Sequence, residues 1–364
     1  MDMDRVEDLL ARLDVPEQHV PLARSLIGRA VELGGSDDEI LAAAKLEDLG
    51  PLLVDLAMRP PGDTLTLDQF AERSGLDPAL VHRIWSAFGL PRDGPAPLFV
   101  TPDAANAIHV IAFLADNLGV DAGVAIARVV GNATAMIAEA VSNATRVGHE
   151  VPMRDTGVPY DEIVGEMIDV IRELLPTMWD AVGAVFRRHL VNTSYQKWVP
   201  DEGRTAVVNT RAIGFVDLVG STEVLRSQSV AELAASVDRF EQLVWDVVSS
   251  GGGRVTKLLG DEAMFVVGDA ASACDIASRL VSSSPQPVRV GVTFGEIVAL
   301  HGDCYGPTVN LAARLVAVAP PGEVIVDAGV RAALGDDATG LEPFPTPPLR
   351  GFPEVEGAYR VLPS

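Results

Sequence analysis

The first half of the chain carries apolar residues at helical spacing. Val6, Leu9, Leu10 and Leu13 recur every three or four positions, which is the pattern of an amphipathic helix with one buried face. The same period continues along this half, and several segments begin with an N-cap residue or a proline that favours helix initiation. We therefore predict further helices over 18–33, 37–57, 102–118, 120–146 and 159–191.

One stretch within these helices resembles a helix-turn-helix. Residues 65–84 contain a short helical pattern, a turn at Gly75 and a second helical pattern that begins after Asp77. A helix that reads DNA usually begins with basic or amide residues, whereas this one begins with acidic and apolar residues. We interpret the stretch as a packing unit and keep DNA binding as the alternative.

The last predicted helix, 159–191, has an unusually broad apolar face. A lone surface helix does not need so wide a stripe, because only the side that faces the core must be apolar. We expect this helix to pack on the rest of the N-terminal half or on a second chain.

The pattern changes after residue 206. Residues 193–206 keep no period and contain Pro200 and Gly203, which is typical of a linker. Beyond them, strand-like and helical segments alternate: 207–218, 222–248, 253–259, 263–267, 270–282, 288–300, 308–318, 323–326 and 358–362. This order predicts a ferredoxin-like βαββαβ sandwich with its helices on one sheet face.

The predicted fold class is therefore α+β, with an all-helical domain at 1–192, a linker at 193–206 and a second domain at 207–364.

The net charge of −23 argues against a nucleic-acid partner, since phosphate backbones require clustered Lys and Arg. Cys274 and Cys304 make neither a disulfide framework nor a zinc site. We find no signal peptide and no apolar run of about 18 residues, so we expect a cytoplasmic protein without an integral membrane segment.

Two segments of the second domain place charged residues at strand ends. Asp217 ends an apolar strand, where a carboxylate can hold a cation or merely shape the turn. In the stretch 254–265, strand alternation places Val255, Lys257 and Leu259 on one face, and Asp261 lies in the following turn. Taken alone, Lys257 and Asp261 also have structural interpretations, as a solvated lysine and a turn aspartate.

A third segment, 301–315, presents an amide and a guanidinium on one helical face. Asn310 and Arg314 are four residues apart and therefore lie on the same side of the predicted helix. Such a pair suits a ribose and a triphosphate. A solvated helix face would explain Arg314, but asparagine is a poor choice inside an apolar helix.

Taken together, the three segments resemble the catalytic domain of the class III nucleotidyl cyclases, over about 207–326 and more loosely in the tail. The order of the motifs and the spacing within the second and third segments carry this resemblance. It implies that Asp217 and Asp261 hold metal, two Mg²⁺ or Mn²⁺ ions per site, with the Leu218 carbonyl as a further ligand. Two divalent ions can activate the attacking ribose oxygen and neutralise the triphosphate.

The resemblance also implies how the nucleotide is read. Asn310 would orient the ribose, and Arg314 would stabilise charge on the transferring phosphoryl group. Lys257 and Asp303 occupy the base-reading positions, where a lysine donates to N1 of adenine and a carboxylate accepts from its N6 amine. Guanine reverses the donor and the acceptor at these two positions, so Lys257 and Asp303 would be left unpaired. The implied reaction is the conversion of ATP to 3′,5′-cyclic AMP and pyrophosphate.

Members of this class pair head to tail and build each site across the interface. Because this chain contains residues of every type that the site needs, the resemblance implies a homodimer with two complete sites. The helical half is similar to the regulatory domain of soluble bacterial members, which would make the enzyme autoregulated by a small molecule, a lipid or a proton. Histidines titrate near neutral pH and are the candidate proton sensors here: His19, His82, His109, His149 and His189.

Two alternative functions fit part of the pattern. A diguanylate cyclase has a Gly-Gly-Asp-Glu-Phe turn that is similar to 259–263, but its first glycine and its phenylalanine are absent here. The other alternative is a non-catalytic nucleotide-sensing or DNA-binding regulator with a degenerate cyclase domain. The intact metal, base and phosphate positions argue against decay, and the acidic charge argues against DNA.

Overall fold

The structure is a computed structural model that divides into two compact units, Met1–Trp198 and Val199–Ser364. The residues that it describes are 2–45, 49–60, 65–90, 100–194, 208–220, 229–352 and 357–363. The predicted linker at 193–206 lies outside these residues from position 195 onward, and its first two positions belong to the preceding helix.

The first unit is helical, as the period of its apolar residues predicted. Its helices are α1 (Met3–Ala11), α2 (Val20–Glu32), α3 (Asp37–Lys45), α4 (Gly50–Met58), α5 (Leu67–Ser74), α6 (Pro78–Ala87), α7 (Pro102–Leu118), α8 (Val120–Thr145), α9 (Val151–Asp155) and α10 (Tyr160–Ser194). A 3₁₀ turn spans Glu17–His19, and a π-helical turn spans Arg146–Glu150. The predicted helix over 37–57 is two helices, α3 and α4.

Two apolar clusters hold these helices together. In one, Ile27, Leu53 and Ile168 are fully buried between α2, α4 and α10. In the other, Phe70 and Val81 are buried where α5 and α6 meet α7 and α8. The helix-turn-helix-like stretch thus contributes to a core.

Helix α8 differs from the prediction in one respect. Together with the turns after it, it forms a continuous helix over Val120–Asp155 that is long and apolar enough to cross a membrane by length and composition. The sequence did not predict such a segment, because charged residues such as Arg128 leave only short apolar runs in this helix. One side of α8 packs closely on its neighbours: a Cβ at Gly131 would lie 2.4 Å from the carbonyl oxygen of Phe88.

The second unit contains the predicted βαββαβ order. Its elements are β1 (Val208–Leu218), α11 (Val230–Ser250), β2 (Arg254–Leu259), β3 (Glu262–Val267), α12 (Ala270–Ser283), β4 (Val288–Leu300), β5 (Asp303–Tyr305), α13 (Pro307–Val318), β6 (Val324–Asp327), α14 (Ala328–Leu334), β7 (Leu341–Phe344) and β8 (Ala358–Val361). Among the described residues, the strand order is β2-β3-β1-β4-β6-β8-β7, and β5 pairs with β4. The part of the predicted second helix before residue 229 lies outside the described residues.

The helices of this unit do not all lie on one sheet face, so that prediction is wrong for α13. Val216 on β1 is buried in the cluster that includes α11 and α12, whereas its neighbours Ile213 and Phe215 are buried in a cluster with α13. Successive strand residues point to opposite faces, so these clusters lie on opposite sides of the sheet. The signal was present in the sequence, because the run 212–216 is apolar without alternation, which is typical of a strand covered on both faces.

A bulge in β2 overturns a second expectation. Val255 pairs with Phe265, but Lys257 pairs with Met264, so the register shifts at Thr256. Phe265 belongs to the cluster with α11 and α12, and Met264 belongs to the cluster with α13. Lys257 therefore lies on the α13 side of the sheet, opposite Val255, and not on the same face as strict alternation predicted.

Candidate active site

An ion pair joins Lys257 and Asp303, the two residues that are predicted to read the base. Lys257 Nζ lies 2.6 Å from Asp303 Oδ2, and their side chains are 40% and 17% exposed. The backbone N–H of Cys304 donates to Asp303 Oδ1 at 2.7 Å. Burial would raise the pKa of Asp303, but hydrogen bonds from Lys257 and from the Cys304 N–H outweigh it and lower the pKa. The pair is therefore a fixed donor and a fixed, ionised acceptor side by side.

A tight hairpin brings Asp303 to this position. Strands β4 and β5 pair from Leu300 to Asp303 across a turn in which His301 and Gly302 both have positive φ, 54° and 80°. Such a two-residue turn matches the twist of antiparallel strands. Arg254 Nη1 donates to the Gly302 carbonyl at 3.1 Å, which ties the hairpin to the start of β2.

The second group of site residues is a row of charges across three strands. Asp217 at the end of β1 pairs in register with Glu262 of β3 on one side and with Arg289 of β4 on the other. Arg289 Nε and Nη2 donate to Asp217 Oδ2 at 2.7 and 2.5 Å. Burial raises the pKa of Glu262, and the negative charges of Asp217 and Asp261 raise it further. The positive charge of Arg289 partly offsets this by lowering the same pKa. These carboxylates thus concentrate negative charge at one place.

Asp261 lies in the β2–β3 turn, beside the end of β1. The backbone N–H of Leu218 donates to the Asp261 carbonyl at 3.0 Å, which fixes the turn against the strand that carries Asp217. Gly260 before it has φ 71°, a conformation that glycine adopts without strain. The turn and the strand end thereby place two predicted metal carboxylates together.

This donor set fits a hard divalent cation. Within the described residues, no three acidic, histidine or cysteine side chains form a metal-binding group. Mg²⁺ needs fewer than three protein side chains, because one or two carboxylates commonly hold it while phosphates of the substrate supply other ligands. Burial raises the pKa of Glu262, and the charges of Asp217 and Asp261 raise it further. This supports the fit, since a cation there would relieve the repulsion among the three carboxylates.

Asn310 and Arg314 form the third group. Helix α13 buries Val309, Ala312 and Val316, so its other side carries Asn310 and Arg314, and both are exposed. Across the part of the chain that the structure describes, neither side chain has a hydrogen bond or an ion pair. An amide and a guanidinium are thus available to a ligand or a second chain.

Comparison with known proteins finds adenylate cyclases among the similar sequences. The chain is 32% identical to an adenylate cyclase of Streptomyces coelicolor, over 71% of this chain and 68% of that protein. It is 32% identical to an uncharacterised protein of Mycobacterium tuberculosis, over 84% of this chain and 82% of that protein. It is 29% identical to a pH-sensitive adenylate cyclase of Mycobacterium tuberculosis, over 87% and 81%. No family model matches the chain.

The chain belongs to the class III adenylate cyclases. In this cyclase, sequence reasoning missed Arg289 and Glu262, which flank Asp217. Their signal was weak but present, because Arg289 and Glu262 are charged residues at the ends of otherwise apolar strands. Their position beside Asp217 follows from strand register, which cannot be derived from the sequence pattern alone.

We predict that Arg289→Gln increases the affinity of the nucleotide-free cyclase for Mn²⁺ about fivefold, the effect of roughly 1 kcal/mol of ion pairing. The guanidinium holds Asp217 Oδ2, and a metal ion must compete with it for that oxygen. A Mn²⁺ titration followed by electron paramagnetic resonance measures the change. Arg279→Gln is the matched control, because Arg279 pairs with Asp275 on α12 instead. An affinity equal to that of the control would contradict the prediction.

Proposed function

We propose that this cyclase converts ATP to 3′,5′-cyclic AMP and pyrophosphate at two sites that a homodimer shares. The observation that carries the proposal is the contact of 2.6 Å between Lys257 and Asp303. It places a cationic donor beside an anionic acceptor, which is the pattern that the N1 acceptor and N6 donor of adenine require. Guanine presents a donor at N1 and an acceptor at O6, so both protein groups would be left unpaired.

The metal part of the proposal rests on Asp217 and Asp261. These carboxylates, with the carbonyl of Leu218, would hold two Mg²⁺ or Mn²⁺ ions beside the triphosphate. When bound, such ions lower the pKa of the attacking hydroxyl and offset charge on the phosphates. Arg289, already paired with Asp217, orients that carboxylate before a nucleotide binds.

The exposed face of α13 supplies the remaining groups. Asn310 would hydrogen-bond the ribose and hold its 3′-oxygen in line with the α-phosphorus. Arg314 would donate to the oxygens of the transferring phosphoryl group as their charge increases. Their exposure and lack of partners among the described residues support this role, since neither is needed to hold the fold.

We expect protein from the soluble fraction, where a cytoplasmic enzyme would be found, to form cyclic AMP from ATP in the presence of Mn²⁺ or Mg²⁺. Activity with GTP should be at least about a hundredfold lower, because a reversed base edge leaves Lys257 and Asp303 unpaired. Chromatographic separation of the products from both nucleotides measures the ratio. Formation of cyclic GMP but not cyclic AMP would overturn the base assignment.

The homodimer is supported by groups that lack a partner in the described part of one chain. Lys257 pairs with Asp303 and Asp217 pairs with Arg289, whereas Asn310 and Arg314 have no hydrogen bond or ion pair within the described residues. A second chain related by a two-fold axis would complete both sites at once. Helix α10 also exposes large apolar side chains that a partner could cover: Leu174, Trp179, Val185, Phe186 and Leu190.

Mixing two inactive variants tests the shared site. Asp217→Ala removes a metal carboxylate and Lys257→Ala removes the base donor, so we expect each homodimer to lose at least about a hundredfold in kcat/KM. In a mixed dimer, one site combines the intact metal half with the intact base half. Co-purified heterodimers carrying two different tags should therefore recover up to half of the wild-type activity, and heterodimers that stay inactive would exclude the shared site.

We propose that the helical domain at 1–192 regulates the catalytic domain at 207–364. Two histidines of this half lie against carboxylates: His82 Nε2 is 2.8 Å from Asp68 Oδ1, and His149 Nε2 is 3.4 Å from Glu166 Oε2. Protonation would turn each contact into an ion pair, and the second contact ends on α10, the helix nearest to the catalytic unit in sequence. The pH-sensitive relative supports a proton as the regulator.

Removal of residues 1–198, the first compact unit, should change the pH profile of the remaining cyclase. If protonation acts through the helical half, the full chain should show a pH transition between about 5.5 and 7.5 that the fragment lacks. Initial rates of cyclic AMP formation across this range measure the difference. The full chain with Asp68→Asn and Glu166→Gln is the control that keeps both units, and identical profiles in all three proteins would refute proton regulation.

A further inference from the structure

An exposed tyrosine lies against both base-reading residues. Tyr305 is two residues after Asp303 on strand β5, and side chains at this spacing project from the same side of a strand. Its ring centroid lies 5.8 Å from Lys257 Nζ, within the range of a cation–π contact. The ring is 48% exposed, so the core does not account for its position.

Tyr305 also lies close to the other member of the pair, two positions from it on the same strand. Burial raises the pKa of Asp303. Hydrogen bonds from Lys257 and from the Cys304 N–H lower this pKa, and a weaker hydrogen bond from Tyr305 lowers it further. One phenol side chain thus lies beside both groups, with its ring centroid 5.8 Å from the ammonium. Cys304, which lies between Asp303 and Tyr305 in the sequence, is buried and holds β5 in place.

We propose that Tyr305 is a positioning residue that fixes the Lys257 ammonium and the Asp303 carboxylate in the arrangement that selects adenine. This inference rests on the proposed function. Lysine has a flexible four-carbon stem, and without a surface to lie on its ammonium would sample many positions. A donor that is held in advance binds the correct base edge without an ordering cost and cannot move away from a wrong one.

The test compares two substitutions and two nucleotides. Tyr305→Phe keeps the ring but loses the hydroxyl, and Tyr305→Leu loses both. ATP and inosine triphosphate differ at positions 1 and 6 of the purine, where donor and acceptor are reversed. We expect Tyr305→Phe to lower the ratio of kcat/KM for ATP over inosine triphosphate about tenfold, the effect of one hydrogen bond to a charged group, chiefly through KM for ATP. Tyr305→Leu should lower it several-fold further.

Tyr359→Phe is the matched control. The Tyr359 hydroxyl accepts from Arg331 Nη1 at 2.8 Å, and the Arg331 guanidinium lies 4.8 Å from the ring centroid, so the variant loses a similar contact elsewhere in the same unit. Its nucleotide ratio should equal that of the wild type.

Two outcomes would overturn the inference while leaving the proposed function intact. One is wild-type kcat/KM for both nucleotides in both Tyr305 variants. The other is an equal loss with both nucleotides, which would indicate a purely structural role for Tyr305. A wild-type protein that forms no cyclic AMP from ATP would instead refute the proposed function itself, and the inference with it.

Discussion

The site depends on the burial of strand β1 on both faces. Helices α11 and α12 cover one side and α13 covers the other, so the run 212–216 must be apolar and a charge can lie only near the strand end. Asp217 occupies that end, and strand register then brings Glu262 and Arg289 beside it. The same packing that stabilises the sheet therefore concentrates charge at one place and leaves it open to a ligand.

Two local irregularities bring Lys257 and Asp303, the proposed base-reading pair, together. The bulge at Thr256 moves Lys257 to the α13 side of the sheet, and the positive-φ turn at His301 and Gly302 folds β5 back so that Asp303 meets it. Neither feature is needed for the core, and each interrupts regular strand geometry where a polar side chain must be aimed. The pair is consequently formed before any nucleotide binds, which reduces the ordering that recognition would otherwise cost.

Much of the architecture follows from residue pattern, and some of it does not. The period of apolar residues correctly predicted α7, α8 and α10 and the βαββαβ order, because long periodic segments leave little ambiguity. The placement of α13 on the opposite face was missed, as was the short strand β5, since three residues carry no period. The assignment of Lys257 to the face of Val255 failed because alternation assumes an unbroken register.

The sequence by itself determined which chemical groups are present and in what order: two aspartates at strand ends, a lysine and an aspartate at base-reading spacing, and an amide and a guanidinium four residues apart. Spacing is a local property, so helix and turn geometry suffice to interpret it. Only the tertiary structure decided which of these groups meet. The contacts of Lys257 with Asp303 and of Asp217 with Arg289 join residues 46 and 72 positions apart, and such contacts depend on strand register and on a bulge. Those features arise from packing over the whole sheet, which no short segment specifies.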